Sequence, residues 1–364
     1  MRRSVEDRMN EAKAIPILEA MERLGVAGLH NLGHEKVGPC PVCGGKDRFS
    51  INPTKGVFNC RRCDRGGDVI ALAEHVLACD FLRALDFLVG EAAPEIDQRA
   101  LEARRKKARE AEAKREAAAA EFRARAVEDA RAIWARAVPG EGTAAQAYLA
   151  GRGIRFDAWP PSLRFIADHP MIKKAPGMPR AAQVHRGPAL IGAIQNPQGR
   201  ITAVHQTWID PRQPGQKADI RNPATGEALP AKLVRGSKKG GAIRLGKVVD
   251  GCTLVMGEGI ETTASALVAW RQPGAVYWVG IDLGNMAGRQ KGRNTGLPDL
   301  EDGEAFVPPP EVAKLIYLQD GDSDPTTTRA KLLAGLRRAM AQNPDIEAMI
   351  ACAPEGKDFN DLIN

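Results

Sequence analysis

With 364 residues the chain is long enough for two or three domains and a sizeable core. It contains no run of about 18 apolar residues, which excludes a membrane-spanning helix. No apolar stretch follows Met1-Arg2-Arg3, so a cytoplasmic protein without a secretory leader is expected. The net charge of +7 leans toward a polyanionic partner, weakly when taken alone.

In chain order, Ile15, Ile17, Leu18, Met21 and Leu24 have helical spacing and predict a packing helix over 4–24, which Pro16 interrupts or reopens. Cys40-Pro41-Val42-Cys43 and Cys60-Arg61-Arg62-Cys63 follow as C-x2-C-x16-C-x2-C. Two such knuckles offer four thiolates to one tetrahedral zinc, a closed and therefore structural shell. In a reducing compartment the pairs read as metal ligands, and Cys79, Cys252 and Cys352 as small buried hydrophobes. His34 reads as a surface histidine. Residues 48–51 and 57–59 alternate as a hairpin around a turn at 52–56. Gly66-Gly67-Asp68 then turns the chain into a helix over 69–78, with a second over 80–89. Lys46, Arg48, Arg61, Arg62 and Arg65 are basic, and Phe49 and Phe58 either stack the bases of a single strand or fill the ribbon's own core.

Residues 40–89 carry Lys46-Asp47-Arg48-Phe49-Ser50, Gly56-Val57-Phe58-Asn59-Cys60 and Gly66-Gly67-Asp68-Val69-Ile70. This segment resembles the N-terminal zinc-binding domain of bacterial and phage DNA primases. The resemblance implies a ribbon that contacts the single-stranded template and helps choose where priming starts. The four-cysteine set is similar to the phage form, since many bacterial members have a histidine as second ligand.

From Gln98 to Arg136 the chain is rich in Ala, Glu, Lys and Arg, with the cluster Arg104-Arg105-Lys106-Lys107. The pairs Glu102–Lys106 and Glu110–Lys114 stand in the favoured i,i+4 order, which predicts a long solvated linker helix. Ile133, Trp134 and Val138 are expected to dock its end on the next domain. Over 143–250 an α+β segment is predicted, with a helix at 144–152 and a hairpin of 189–194 and 201–205. Lys217, Arg221, Lys232, Arg235, Lys238, Lys239 and Arg244 either hold triphosphate or template backbone or form a solvated basic loop. Residues 241–248 approach a P-loop but end in Val248, where a magnesium-binding Ser or Thr is required, so no helicase motor is visible.

From Gly251 strands and helices alternate, which predicts a parallel sheet with strands over 253–256, 275–279, 314–318 and 346–352. Helices are predicted over 260–270 and 326–341, and a long irregular loop over 280–310. Ligands sit at the carboxyl ends of such strands, where Glu258, Asp320, Asp322 and Asp358 lie. Carboxylates of this kind suit magnesium or manganese rather than zinc. An EF-hand is excluded by Pro325 and Lys331 at its glycine and glutamate positions. An aspartyl phosphatase is disfavoured by Asp324, and a solvated acidic loop remains the bland alternative.

Gly257-Glu258-Gly259, Asp320-Gly321-Asp322 and Asp358-Phe359-Asn360-Asp361 together resemble the Toprim domain of primases, topoisomerases and some nucleases. The resemblance implies Glu258 in proton transfer or positioning, and Asp320 and Asp322 as metal ligands with Asp324 or Asp358 assisting. Many members carry an aspartate four residues after the glutamate; here Thr262 stands there, and Glu261 is the candidate replacement, about 100° away on the helix. The chain is therefore read as a multidomain α/β protein. Its expected parts are a zinc ribbon (1–95), a charged helical linker (96–138), a basic α+β subdomain (139–250) and a Toprim domain with a central parallel sheet (251–364). The expected function is a DNA primase using one structural zinc and two magnesium or manganese ions to make RNA primers from ribonucleoside triphosphates on single-stranded DNA. The expected context is replication of a phage, plasmid or integrated element, with a separate replicative helicase. A Toprim nuclease and a non-catalytic single-strand-binding replication factor are the alternatives. Strand passage, which needs a tyrosine nucleophile, is disfavoured: of Tyr148, Tyr277 and Tyr317 the last two fall in predicted strands.

Overall fold

A computed structural model of the chain describes residues 4–90, 98–322 and 324–363, without the side chains of 98–102, 104, 105, 108 and 112. The expected boundary at 95–96 and the Glu102, Arg104 and Arg105 side chains lie outside the described residues. The chain forms two compact units, residues 1–120 and 121–364.

In the first unit α1 (Val5–Ala14) starts in a capping box, with the Ser4 hydroxyl accepting the Asp7 N–H. The single helix expected over 4–24 is broken at Pro16, which has no N–H and stands at the N-cap of α2 (Ile17–Arg23). An antiparallel sheet runs in chain order through β1 (His30–Leu32), β2 (Glu35–Cys40), β3 (Gly44–Asn52), β4 (Val57–Cys60) and β5 (Arg65–Gly67). The expected hairpin is β3 on β4, with Ile51 opposite Phe58. Asp68 then caps α3 (Val69–Leu77) by accepting the Ile70 and Ala71 N–H groups, and Asp80 caps α4 (Phe81–Val89). Phe49 and Phe58 are buried with Ile51 and Leu72, their rings 5.6 Å apart. They are the ribbon's core and not a stacking platform for bases.

The linker helix is α5 (Gln98–Arg136). In the second unit Ala130 is buried, with Ile133 and Trp134 packed beside Met171 and Trp208. Val138 does not join them: it opens β6 (Val138–Pro139) and is 52% exposed. After α6 (Ala144–Ala150) come β7 (Leu163–Lys173), β8 (Ala182–Gln195), β9 (Ile201–Trp208), the short pair β10 (Ile220–Arg221) and β11 (Ala228–Leu229), β12 (Lys232–Gly236) and β13 (Ala242–Arg244). Then follow β14 (Cys252–Gly257), α7 (Ile260–Ala269), β15 (Ala275–Val279), α8 (Leu283–Ala287), β16 (Val312–Gln319), α9 (Pro325–Gln342) and β17 (Glu347–Cys352). The expected irregular loop 280–310 thus contains α8.

One mixed sheet holds this unit together, in the order β12-β9-β8-β13-β15-β14-β16-β17, with β7 on β8 and β6 on β7. β13 is antiparallel to both β8 and β15, while β15, β14, β16 and β17 are mutually parallel. The sheet therefore runs without interruption past residue 250, where a subdomain boundary is expected from sequence. Cys252 is buried as expected; Cys352, at the end of edge strand β17, is exposed.

The parallel strand ends are tied by backbone. Gly321 N–H donates to Lys357 O at 2.8 Å, and Gly356 N–H donates to Gly321 O at 3.0 Å. A Cβ at position 321 would run into the Pro354 carbonyl, so the glycine is required by close approach and not by its dihedral angle. Gly321→Ala is expected to lower stability by roughly 1–3 kcal/mol, read as a lower midpoint in urea unfolding; an unchanged midpoint would show that the two loops separate freely.

Candidate metal centres

In the ribbon, the turns β2–β3 and β4–β5 bring the cysteines together. Cys40 Sγ lies 3.9 Å from Cys63 Sγ, and Cys43 Sγ lies 3.7 Å from Cys60 Sγ. Tetrahedral zinc with Zn–S bonds of about 2.3 Å requires sulfurs about 3.8 Å apart, so the donor set and its spacing fit the metal. The Cys40 thiol donates toward Cys60 and pulls the Cys60 pKa down to about 4, favouring a thiolate there. His75, absent from the sequence reading, is buried with Nε2 3.4 Å from Cys40 Sγ, and it forms a compact ligand group with Cys40, Cys60 and Cys63. The ring either takes a ligand position or donates to a ligand sulfur. Its signal was the spacing from Leu72, one turn earlier on the face of α3 that packs on the ribbon. His34 is exposed, as expected. Lys46 and Arg61 are exposed, Arg48 and Arg62 half-buried, and Arg61 pairs with Asp47 at 3.5 Å.

The carboxylates belong to the second unit. Met256 is level with Trp278 on one side and Tyr317 on the other, and Tyr317 is level with Ile350. Glu258, Asp282, Asp320 and Asp358 therefore all lie beyond the carboxyl ends of neighbouring parallel strands. Asp282 had not been singled out from sequence, because it follows its strand by three residues within a segment read as loop. It caps α8, accepting the Asn285 N–H at 2.9 Å, and pairs with Lys238.

Asp320 is the most perturbed of these groups. Loss of water raises its pKa to about 6, with Asp358 and Asp322 adding repulsion, against hydrogen bonds from Phe359 N–H at 3.4 Å and Thr262 Oγ1 at 3.2 Å. Thr262 thus donates to the carboxylate where an aspartate would repel it. Glu258 is accessible at the rim; lost hydration and then Asp282 raise its pKa, opposed by Lys232, Lys331 and the Leu283 N–H. Asp322 is exposed and Asp358 half-buried. Asp324 is elsewhere engaged: it caps α9 through the Thr327 N–H at 2.6 Å, which holds its pKa low. Among the described residues no three carboxylates converge as closely as the zinc-site donors do. Burial is the first cause of both raised pKa values, with neighbouring carboxylates adding repulsion.

Glu261 does not replace the missing aspartate. It is buried, and accepts from Tyr148 Oη at 2.7 Å, Lys217 Nζ at 3.0 Å and Lys232 Nζ at 3.4 Å. Burial would raise its pKa, but the two lysines and the tyrosine outweigh this and hold it far below the usual range. His205, fully buried behind it, is lowered to about 4 by burial and the same lysines, and is neutral. Of the seven basic residues expected to act together, Lys217, Arg221, Lys232 and Arg235 separate. Lys232 and Arg235 are three apart on β12 and so face opposite sides of the sheet; Arg235 pairs with Asp129 of α5 and Arg221 with Asp219. Only Lys217 and Lys232 share a site. Arg152, also missed, donates to Gly215 O at 2.9 Å, and Asn360 Nδ2 donates to Arg152 O at 2.7 Å and Ser265 Oγ at 3.0 Å. These bonds tie the Lys217 loop to the Asp358 loop.

Residues 35–70 match the family described as the zinc-binding domain of primase-helicase, and residues 124–245 match a domain of unknown function, DUF7146. All four knuckle cysteines fall within the first match, and the ribbon is a zinc-binding one. No curated protein matches the chain. Among solved structures, the Aquifex aeolicus primase (zinc-binding and RNA polymerase domains) is similar at 15% identity and a TM-score of 0.32, over 98% of this chain and 81% of that one. A DNA primase domain from Pseudomonas aeruginosa gives 15% and 0.38 over 65% and 74%. The primase fragment of the bacteriophage T7 primase-helicase gives 13% and 0.32 over 89% and 92%. Likeness this loose assigns no role to any residue.

The Asp320 shift has a sign that can be checked. A carboxyl whose folded pKa of about 6 exceeds its unfolded value costs stability above pH 6, and that cost fades as pH falls toward the unfolded value. Asp320→Asn is therefore expected to raise the melting temperature of protein free of magnesium at pH 7, with the gain shrinking toward pH 4. Magnesium is expected to raise the melting temperature of the wild type and not of the variant. A gain independent of pH would contradict this.

Proposed function

We propose that the chain is a Toprim-type DNA primase, making short RNA primers on single-stranded DNA by metal-assisted nucleotidyl transfer. The observation that carries this reading is a combination. A ribbon matching the zinc-binding domain of primase-helicase shares one chain with Glu258, Asp320 and Asp322 at adjacent parallel strand ends, beside Lys217 and Lys232.

Asp320 and Asp322 would hold two magnesium or manganese ions, with Asp358 assisting. Bound there, the ions would supply Lewis-acid stabilisation of the transferring phosphoryl group and its attacking and leaving oxygens. Glu258, with its raised pKa, is suited to accept or position the proton of the primer 3′-hydroxyl. Lys217 and Lys232 would neutralise the triphosphate of the incoming ribonucleotide. Lys46, Arg48, Arg61 and Arg62 on the ribbon would contact template phosphates, a role that needs no exposed aromatic ring. Zinc would hold the ribbon in shape without touching substrate. The proposed setting is a cytoplasmic primosome of a phage, plasmid or integrated element, working with a replicative helicase that opens the duplex.

The test is primer synthesis from ribonucleoside triphosphates on single-stranded DNA with magnesium or manganese. Asp320→Ala combined with Asp322→Ala is expected to lower product by at least about a thousandfold, the scale of losing transition-state electrostatics. Retained synthesis in the double variant would sink the proposal, and so would metal-dependent nicking of DNA by a wild type that makes no primers, which is the nuclease outcome.

A further inference from the structure

Glu261 occupies an unusual position: a buried carboxylate in the first turn of α7, three residues after Glu258, with both oxygens engaged by protein donors. Its oxygens take one lysine each, Lys217 on Oε1 and Lys232 on Oε2, and Oε1 also takes the Tyr148 hydroxyl. Both lysines remain partly open to solvent, at 29% and 38% side-chain exposure, so each ammonium keeps donors beyond those spent on Glu261. The local sum of one carboxylate and two ammonium groups is positive, and Arg152, lying over the Tyr148 ring at 5.5 Å, adds to it. Lys232 also acts on Glu258, so this positive surplus borders the carboxylate centre.

We propose that Glu261 is a positioning residue that pins Lys217 and Lys232 as a preformed clamp for the triphosphate tail of the incoming nucleotide, with Tyr148 fixing its orientation. This rests on the primase reading for the identity of the substrate, and on the buried network for the role. The physical logic is preorganisation. Two ammonium groups drawn together without a counter-charge repel each other and Arg152, and swing into water. A buried carboxylate between them holds them in place, and leaves their outer N–H groups to a polyphosphate. A carboxylate at position 261 thus serves substrate binding through its neighbours, where the family aspartate at the next position would serve the metal directly.

The experiment compares the full-length wild type with Glu261→Gln, Tyr148→Phe, Lys217→Ala with Lys232→Ala, and Glu261→Gln placed on that double-lysine background. Two readouts are taken: KM and kcat for ribonucleotides in primer synthesis, and calorimetric binding of inorganic tripolyphosphate with magnesium and no template. The expected result is a rise of about tenfold in KM for Glu261→Gln, larger than any change in kcat, and tripolyphosphate binding weakened by a similar factor. Tyr148→Phe, which removes one hydrogen bond and keeps the ring, is expected to shift both by about threefold in the same direction and carries the test if Glu261→Gln does not fold. On the double-lysine background Glu261→Gln is expected to add nothing further, since its effect passes through the lysines.

Unchanged or tighter tripolyphosphate binding in Glu261→Gln would overturn the inference, as would an undiminished Glu261→Gln effect once both lysines are gone. If the wild type makes no primers, the primase reading falls by itself. Tripolyphosphate binding then still decides the clamp: weakened by the variants it stands, and indifferent to them it fails.

Discussion

The charge at the carboxyl end of β16 is the constraint on which the rest of the second unit turns. Asp320 is tied down by the Phe359 N–H and the Thr262 hydroxyl, faces Asp322 and Asp358, and has lost enough water that its pKa rises to about 6. Glu258, on the neighbouring strand end, is raised in turn by lost hydration and by Asp282. A parallel sheet delivers these side chains to one edge because equivalent positions of β15, β14, β16 and β17 end level with one another. Such an arrangement is costly by itself, and the proposed divalent cation would relieve it. The surrounding features follow from that: glycine at 321 so that two loops can touch, threonine at 262 so that no further carboxylate crowds Asp320, and basic side chains gathered beside the acidic edge.

The two ends of the charge system are kept apart by different means. The carboxylates proposed to hold metal stand at or near the rim. Glu261, in the first turn of α7, is instead engaged by a tyrosine and two lysines, which suits it to holding the lysines. Asp324, four residues after Asp320, caps α9 through one oxygen. The acidic residues of these motifs thus differ in surroundings: Asp320 accepts one hydrogen bond on each oxygen, Asp324 one from its helix cap, and Glu261 a tyrosine hydroxyl and two lysines.

The parts of this arrangement that were legible in the sequence are those encoded by short-range spacing. The two knuckles, the β3–β4 hairpin, and the alternation from β14 to β17 depend on residues close together in the chain, and they lie near where spacing put them. The roles of Glu261 and His75 depend on partners far away. Tyr148 is 113 residues from Glu261, and Cys40 is 35 from His75, so no local pattern announces either. Lys232 and Arg235 looked like one cluster until a strand placed them on opposite faces. Phe49 and Phe58 could serve nucleic acid or the core until the ribbon closed over them. β7 escaped notice because its register shifts twice, between Ile166 and His169 and between Met171 and Ile172, which breaks the alternation that marks a strand.

The most direct test of the central claim is a manganese titration of the zinc-loaded, full-length protein, following the free ion by electron paramagnetic resonance. The account predicts saturable manganese binding that Asp320→Asn with Asp322→Asn abolishes, while Asp324→Asn, altering only a helix cap, leaves it in place. Binding that survives the double substitution, or that depends on Asp324 instead, would contradict it.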